Sequence, residues 1–338
     1  MSRNRRTIFI IASGVVVIIA LIWVKYRLQT RLITTRDVFW LFTEGKNKAL
    51  VMSFDDGNIM DTTIVHILNQ YGIKGTFYLN TASLEIQNTI FHKTKVNKRF
   101  VTKQMLHSLY DGQEIGGHGI NHQRMDQMND SILLYELKNS KDTLNKYSRS
   151  EIKSLAYPYG YYNVETILLA RKEGYTNART ISNTFKFDIP VDWMQWHPTC
   201  NIKNASEYIP SFLKNHSSLV HRLKILLYHR QETPFSKLKL FTIWGHATDI
   251  EDQSDFTWSD FNNLCKSIGD SNNVWCTTAT EMSNYIKTIN NLIITKYEIY
   301  NPENSLYPIT FELIDSVYIL KPGKTINIHQ LTSDTNYQ

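Results

Sequence analysis

Cysteine is scarce in this sequence. Cys200, Cys265 and Cys276 are its only three, none sits in a C-x-x-C pair, and none belongs to a recognisable zinc knuckle. An odd count excludes a fully paired intramolecular disulfide framework. Cys265 and Cys276 are close enough in sequence to bridge in an oxidising compartment, but three free thiols is the expected state. A concentrated basic tract is also missing: the formal charge of +6 is spread along 338 residues. That distribution points away from nucleic acid and towards membrane proximity or plain surface chemistry. There is no glycine-rich nucleotide loop and no internal repeat. What remains is an ordinary globular composition, 42% hydrophobic and 20% charged, with 19 tyrosines. Such aromatic supply suits sugar rings and a large core equally well, and the length allows one large domain or two smaller ones.

One long apolar run stands at the N-terminus. Ile8 to Val24 is uncharged, with Arg3, Arg5 and Arg6 before it and Lys25, Arg27 and Arg31 after it. As a helix it spans roughly 26 Å, at the short end of what crosses a bilayer core. Trp23 and Tyr26 stand where interfacial aromatics belong. The rival reading is a cleaved signal peptide, which this run exceeds in apolar length and after which no A-x-A-like site follows. A single-pass transmembrane anchor is therefore expected over residues 1–27, followed by a linker over 28–48. Basic residues balance across the run, so charge does not set its orientation. An extracytoplasmic catalytic domain is preferred only because the expected substrate lies there.

Beyond the linker the apolar runs alternate with helical patterns. Ala49 to Phe54 reads as a buried strand, Ile64 to Tyr71 as a helix closed by Gly72, and Gly75 to Leu79 as a second strand. Glu114 to Gly117 leads into His118, helix Asp130 to Tyr147 follows, and Ser154 to Tyr157 is a strand stopped by Pro158. Helix Val164 to Glu173, a strand around Tyr175 to Thr180, and a strand from Lys239 to Trp244 complete the series. The fold class is therefore α/β, with parallel strands. Four strands end on residues able to do chemistry: Asp55-Asp56, His118, Tyr157-Pro158-Tyr159 and His246. That is the pattern of a barrel, whose strand C-termini converge on one face. The domain is expected over 49–288, with an insertion at 201–237. From Leu292 short alternating runs replace helical period, predicting a β-rich appendage over 289–338.

The chemistry-bearing residues form two pairs. His118 and His122 stand i, i+4 in H-G-I-N-H, so one helical turn or a tight loop puts both imidazoles on one side. Asp56 can complete a three-ligand site for a divalent metal, most simply Zn²⁺, with an open position left for water. Asp55 beside it is then free to accept a proton from that water. Taken singly, each motif has a plain reading, as surface histidines or a solvated D-D-G turn. In order along the chain, each after an apolar strand, they point to a metal site.

V-M-S-F-D-D-G resembles the first motif of the NodB-homology polysaccharide deacetylases, carbohydrate esterase family 4. G-Q-E-I-G-G-H-G-I-N-H resembles the second, S-L-A-Y-P-Y-G the third and I-W-G-H the last; Y-G-I-K-G-T-F-Y and G-Y-T-N-A-R-T resemble the connecting strands. The resemblance runs from Ala49 to Tyr285 and implies a distorted (β/α) barrel with fewer than eight strands. It also implies a divalent ion, commonly zinc, and an N-acetylated polysaccharide or oligosaccharide as substrate. Carried over, it makes Asp55 the general base, Asp56, His118 and His122 the ligands, and His246 the general acid. The backbone N–H of Tyr159 becomes an oxyanion donor, and Tyr157 and Trp244 line the sugar or acetyl pocket. For Trp244 a core position is an equal alternative.

Three departures leave alternatives open. The family's third motif usually begins with an arginine that positions the catalytic Asp, and here that place is Ala156. Arg179 is expected to fill the same space, unless it is an ordinary surface arginine. The fourth motif is represented at best by Asp192-Trp193, and His197 rivals His246 as the acid. These changes resemble the branch acting on exported polysaccharides. The competing functions are O-acetyl ester hydrolysis and non-catalytic glycan binding on a degenerate barrel.

Overall fold

The computed structural model describes residues 33–85, 100–214, 234–250, 255–314 and 316–333. The apolar run Ile8–Val24 and residues 215–233 of the expected insertion lie outside them. Among the described residues no helix is long and apolar enough to cross a membrane.

Strand β1 (Phe39–Leu41) precedes β2 (Lys48–Asp55), the organising strand, which is buried along its whole length. Its near-continuous apolar sequence follows from being covered on both faces. Helix α1 (Asp61–Gln70) leads to β3 (Gly75–Leu79), α2 (Lys103–Leu109) to β4 (Glu114–Gly117), and α3 (Asp130–Tyr147) to β5 (Ser154–Ala156). Helix α4 (Val164–Lys172), β6 (Asn177–Arg179), β7 (Cys200–Asn201), α5 (Ala205–Leu213) and β8 (Lys239–His246) follow. Helix α6 (Trp258–Gly269), β9 (Val274–Cys276) and α7 (Ala279–Asn290) end the α/β part. Side-chain caps start several helices: Asn129 accepts from Ile132 N–H, and Asn163, Thr257 and Thr278 each build a capping box.

The parallel sheet runs β6-β5-β4-β3-β2-β8-β7, with β9 paired to the start of β2. Its two edges are tied by the segment before β7. Trp196 donates its N–H to Ala178 and accepts from Thr180, while Thr199 donates to Thr242 on β8. The expected barrel is thus a half-barrel sheet whose edges meet through one irregular segment.

Period-two alternation along β2 sorts its side chains into two cores. Leu50, Met52 and Phe54 join the helices α1, α3 and α6 around Phe77 and Phe261. Ala49 and Val51 face the other way, onto Trp196, Leu240 and the α7 residues Met282 and Tyr285. Each large aliphatic or Phe side chain so buried contributes about 1.5–3 kcal/mol relative to exposure. Ser53 and Asp55 share the parity of Ala49 and Val51, so Asp55 lies on that same face, at the C-terminal end of β2.

Beyond α7 lie β10 (Ile293–Ile294), β11 (Glu298–Asn301), β12 (Ile309–Leu313), β13 (Ser316–Leu320) and β14 (Lys324–Asn327). They form two antiparallel sheets, β1-β12-β13 and β10-β11-β14. The expected linker is therefore partly structured: Trp40 pairs with Phe311, and Val38, Trp40 and Phe42 are buried in the second core. Apolar side chains at these positions cannot stay solvated when Phe311 and Tyr285 offer a surface to cover.

Candidate active site

Asp55 closes β2 in extended conformation, and Asp56 turns into the left-handed region at φ 78°. That turn separates the two carboxylates. A non-glycine residue held there costs of order 1–3 kcal/mol, so the surroundings must enforce it. Here the Asp56 N–H donates to the Tyr78 carbonyl at 2.9 Å. Asn80, just past β3, donates from Nδ2 to Asp56 Oδ1 at 3.1 Å. Gly57 follows at φ 68°, where an added Cβ would stand 2.9 Å from Leu79.

His118 leaves β4 buried, its N–H bonded to the Leu79 carbonyl. Its Nδ1 lies 2.8 Å from the Ala156 carbonyl, which makes Nδ1 the donor and leaves the Nε2 lone pair free. His122, at φ 52°, brings its ring 4.8 Å from that of His118 and 4.5 Å from that of Tyr159. Asp56 Oδ1 is 3.7 Å from His118 Nε2 and 3.5 Å from His122 Nε2. All three ligand atoms lie within 4.8 Å of one another. Zinc with bonds of about 2.0–2.1 Å separates tetrahedral ligand atoms by about 3.4 Å. The donor set and its spacing fit a divalent ion.

Asp55 is buried beside this group. Arg179 at the end of β6 places Nη2 2.5 Å from both Asp55 oxygens, with both residues buried. Burial alone would raise the Asp55 pKa, but Arg179, then His118 and His246, outweigh it and hold the carboxyl below its ordinary value. Across the cleft, His246 ends β8 with Nε2 3.9 Å from Asp56 Oδ2. Its Nδ1 is 3.1 Å from Asp249 Oδ2, which also accepts the His246 N–H at 2.8 Å. Burial pulls the imidazole pKa down, yet the Asp249 hydrogen bond and the Asp55 and Asp56 charges raise it to about 8. The Asp249 carboxyl is correspondingly held down at about 2, its own burial opposed by His246 and Lys203.

The remaining expected residues divide. Trp244 is half-buried, donates Nε1–H to Asn183 at 2.8 Å, and lies 5.9 Å ring to ring from His246, on the wall of the cleft. Tyr159 is 52% exposed at φ 56°, beside His122. Tyr157 does not line the cleft. It is 1% exposed, donates its hydroxyl to the Met194 carbonyl and stacks on Tyr162. His197 is exposed and bonded through Nδ1 to Thr180 Oγ1 at 2.7 Å. Asp192 pairs with Arg171 at 2.9 Å and caps Met194, so the Asp192-Trp193 pair serves local structure. Two contributors escape sequence reasoning, Asn80 and Asp249. Their signals are faint: a polar residue directly after a buried strand, and an Asp three residues after His246.

Residues 43–178 match the family described as Polysaccharide deacetylase. A Bacillus subtilis protein named as a polysaccharide deacetylase is 27% identical over 149 residues, covering 42% of this chain and 49% of its own length. The chain thus spans about half of that relative. A Staphylococcus aureus poly-beta-1,6-N-acetyl-D-glucosamine N-deacetylase is 22% identical over 214 residues, 60% of this chain and 67% of the relative. Among solved structures, a Streptococcus pyogenes deacetylase in complex with acetate is similar at 26% identity and TM-score 0.35, covering 39% of this chain and 55% of that one. Arg179 and His246 lie beyond the matched family segment.

Proposed function

We propose that this chain, which belongs to the polysaccharide deacetylase family, hydrolyses N-acetyl groups on an amino-sugar polysaccharide by a metal-dependent route. The observation that carries the reading is the placement of Asp56 Oδ1 3.5–3.7 Å from two imidazole nitrogens, with a buried Asp55–Arg179 pair on one side and His246 on the other. Asp56, His118 and His122 would hold a divalent ion, Zn²⁺ by donor chemistry. Such an ion supplies Lewis-acid polarisation of an acetyl carbonyl and lowers the pKa of a water.

The chain's own groups then divide the proton work. Asp55, ionised because Arg179 overcomes its burial, accepts the proton of the attacking water. The backbone N–H of Tyr159 is the donor for the developing oxyanion. His246, held protonated near neutral pH by Asp249, gives its proton to the departing amine. Trp244 forms the wall against which the sugar or acetyl group rests. The amide preference draws on the staphylococcal relative, whose name specifies N-deacetylation. The apolar run Ile8–Val24 supports a single-pass anchor, and the expected exported polysaccharide substrate is the reason for taking this domain to lie outside the cell.

Acetate release from oligomers of N-acetylglucosamine is the test. Activity should disappear on chelation and return with Zn²⁺, and should be lost in Asp55→Asn and His122→Ala. Activity indifferent to chelation, or kept in either variant, removes the mechanism. Protease added outside intact cells should degrade the domain; complete protection removes the outward orientation.

A further inference from the structure

Glu136 sits in the middle of α3 and is 3% exposed, an uncommon place for a carboxylate. It is spent on the turn between the two histidines. Oε2 accepts the Ile120 N–H at 2.6 Å and the Asn121 N–H at 3.3 Å, and Oε1 accepts Asn121 Nδ2 at 2.9 Å. One helical turn later, Ser140 donates its hydroxyl to the Gly119 carbonyl at 2.9 Å. From the opposite side Thr81 and Ala82 donate their N–H groups to the Gly119 and Ile120 carbonyls. Gly119 is at φ +73°, and a Cβ there would meet Glu136 Oε2 at 3.1 Å, so the carboxylate occupies space that only glycine leaves free.

We propose that Glu136 is a positioning residue that sets the His118–His122 geometry through the backbone of the turn joining them. The inference rests on the metal-site reading above. His122 stands at φ 52°, a conformation a histidine keeps only when its neighbours impose it. The carboxylate supplies that constraint by tying down the two N–H groups just before it. Without it, two backbone donors in a part-buried turn lose the acceptor that orients them. The turn then relaxes, and the His122 imidazole leaves the position 3.5 Å from Asp56 Oδ1. Outer-shell partners of this kind carry roughly 10–100-fold in metal affinity.

The experiment is a Zn²⁺ and Co²⁺ titration of the full chain against a chromophoric chelator, with unfolding temperature of the metal-free protein recorded alongside. Glu136→Ala and Glu136→Asp should each weaken binding about 10–100-fold. They should also change the Co²⁺ absorption bands, since one ligand no longer sits in place. Glu136→Gln keeps an oxygen for the two backbone donors and should recover most of the affinity. Affinity and Co²⁺ spectrum within twofold of the parent in Glu136→Asp overturn the proposal, whatever the unfolding temperature does. That variant decides the matter if Glu136→Ala does not fold. A lower unfolding temperature with unchanged metal binding assigns Glu136 to the fold alone. No binding by the parent protein is a different failure: it removes the metal site itself, and this proposal with it.

Discussion

Ala156 and Arg179 are register partners on the adjacent parallel strands β5 and β6, and the guanidinium that grips Asp55 comes from the second of them. The guanidinium thus reaches Asp55 from the strand next to the one on which the resembled third motif would carry its arginine. Arg179→Ala should therefore act on Asp55. It leaves a buried carboxylate unpaired, which costs about 3–5 kcal/mol of stability. The Asp55 pKa should rise and the acid limb of the pH–rate profile should move to higher pH. The double variant Ala156→Arg with Arg179→Ala should recover part of both losses. An acid limb unmoved in the single variant separates Arg179 from the base.

The second prediction concerns Asp249. Burial works against the charged form of His246, and the Asp249 hydrogen bond, followed by the Asp55 and Asp56 charges and then that of Asp249, raises its pKa to about 8. A group with a raised pKa supplies its proton below that value and loses it above. The alkaline limb of kcat/KM should therefore fall near pH 8 in the parent. Asp249→Asn removes the charge and should move that limb to lower pH, with little change at pH 6. A limb that stays put, measured on the same substrate, assigns it to another group.

Much of this site is legible in the sequence, and the reason is geometric. Asp55, Asp56, His118 and His246 each follow a buried apolar strand, and parallel strands deliver their ends to one face. His122 is legible by its i, i+4 spacing, although the structure holds it in a strained turn rather than a helix. Tyr157 is not legible, because an aromatic one residue past a three-residue strand can turn to either side. Only the Met194 carbonyl that receives its hydroxyl decides which. Asn80 and Glu136 are hidden for a different reason: each acts through hydrogen bonds to a distant loop, and no local pattern encodes those. The strand β1 is hidden too, since its pairing with β12 joins segments about 270 residues apart.

Asp61 yields a prediction about stability. It begins α1 fully buried, with the Tyr110 hydroxyl donating to Oδ2 at 2.7 Å, and burial raises its carboxyl to about 8 from 3.8. The folded state keeps this proton where the unfolded chain has lost it. The contribution is complete below pH 3.8, shrinks as pH rises, and is gone above about 8. The slope is on the order of 1 kcal/mol per pH unit in that window. Asp61→Asn mimics the protonated acid and should abolish the slope. Urea midpoints of the two proteins should nearly coincide near pH 3.5, separate progressively as pH rises, and differ most at pH 8.5, with the variant the more stable.

His246 and His197 are the two candidate acids, and their surroundings predict opposite outcomes. His197 is exposed and engaged with Thr180, whereas His246 faces Asp56 across the cleft. His246→Ala should lower kcat for an N-acetyl substrate by about 10²–10⁴, the range for a lost general acid. His197→Ala should stay within a few-fold of the parent. An activated acetyl ester sharpens the comparison, because a phenolate leaving group of low pKa departs without a donated proton. On that ester the His246→Ala defect should shrink sharply while the Asp55→Asn defect persists. Equal losses on amide and activated ester would place His246 in binding rather than in proton donation.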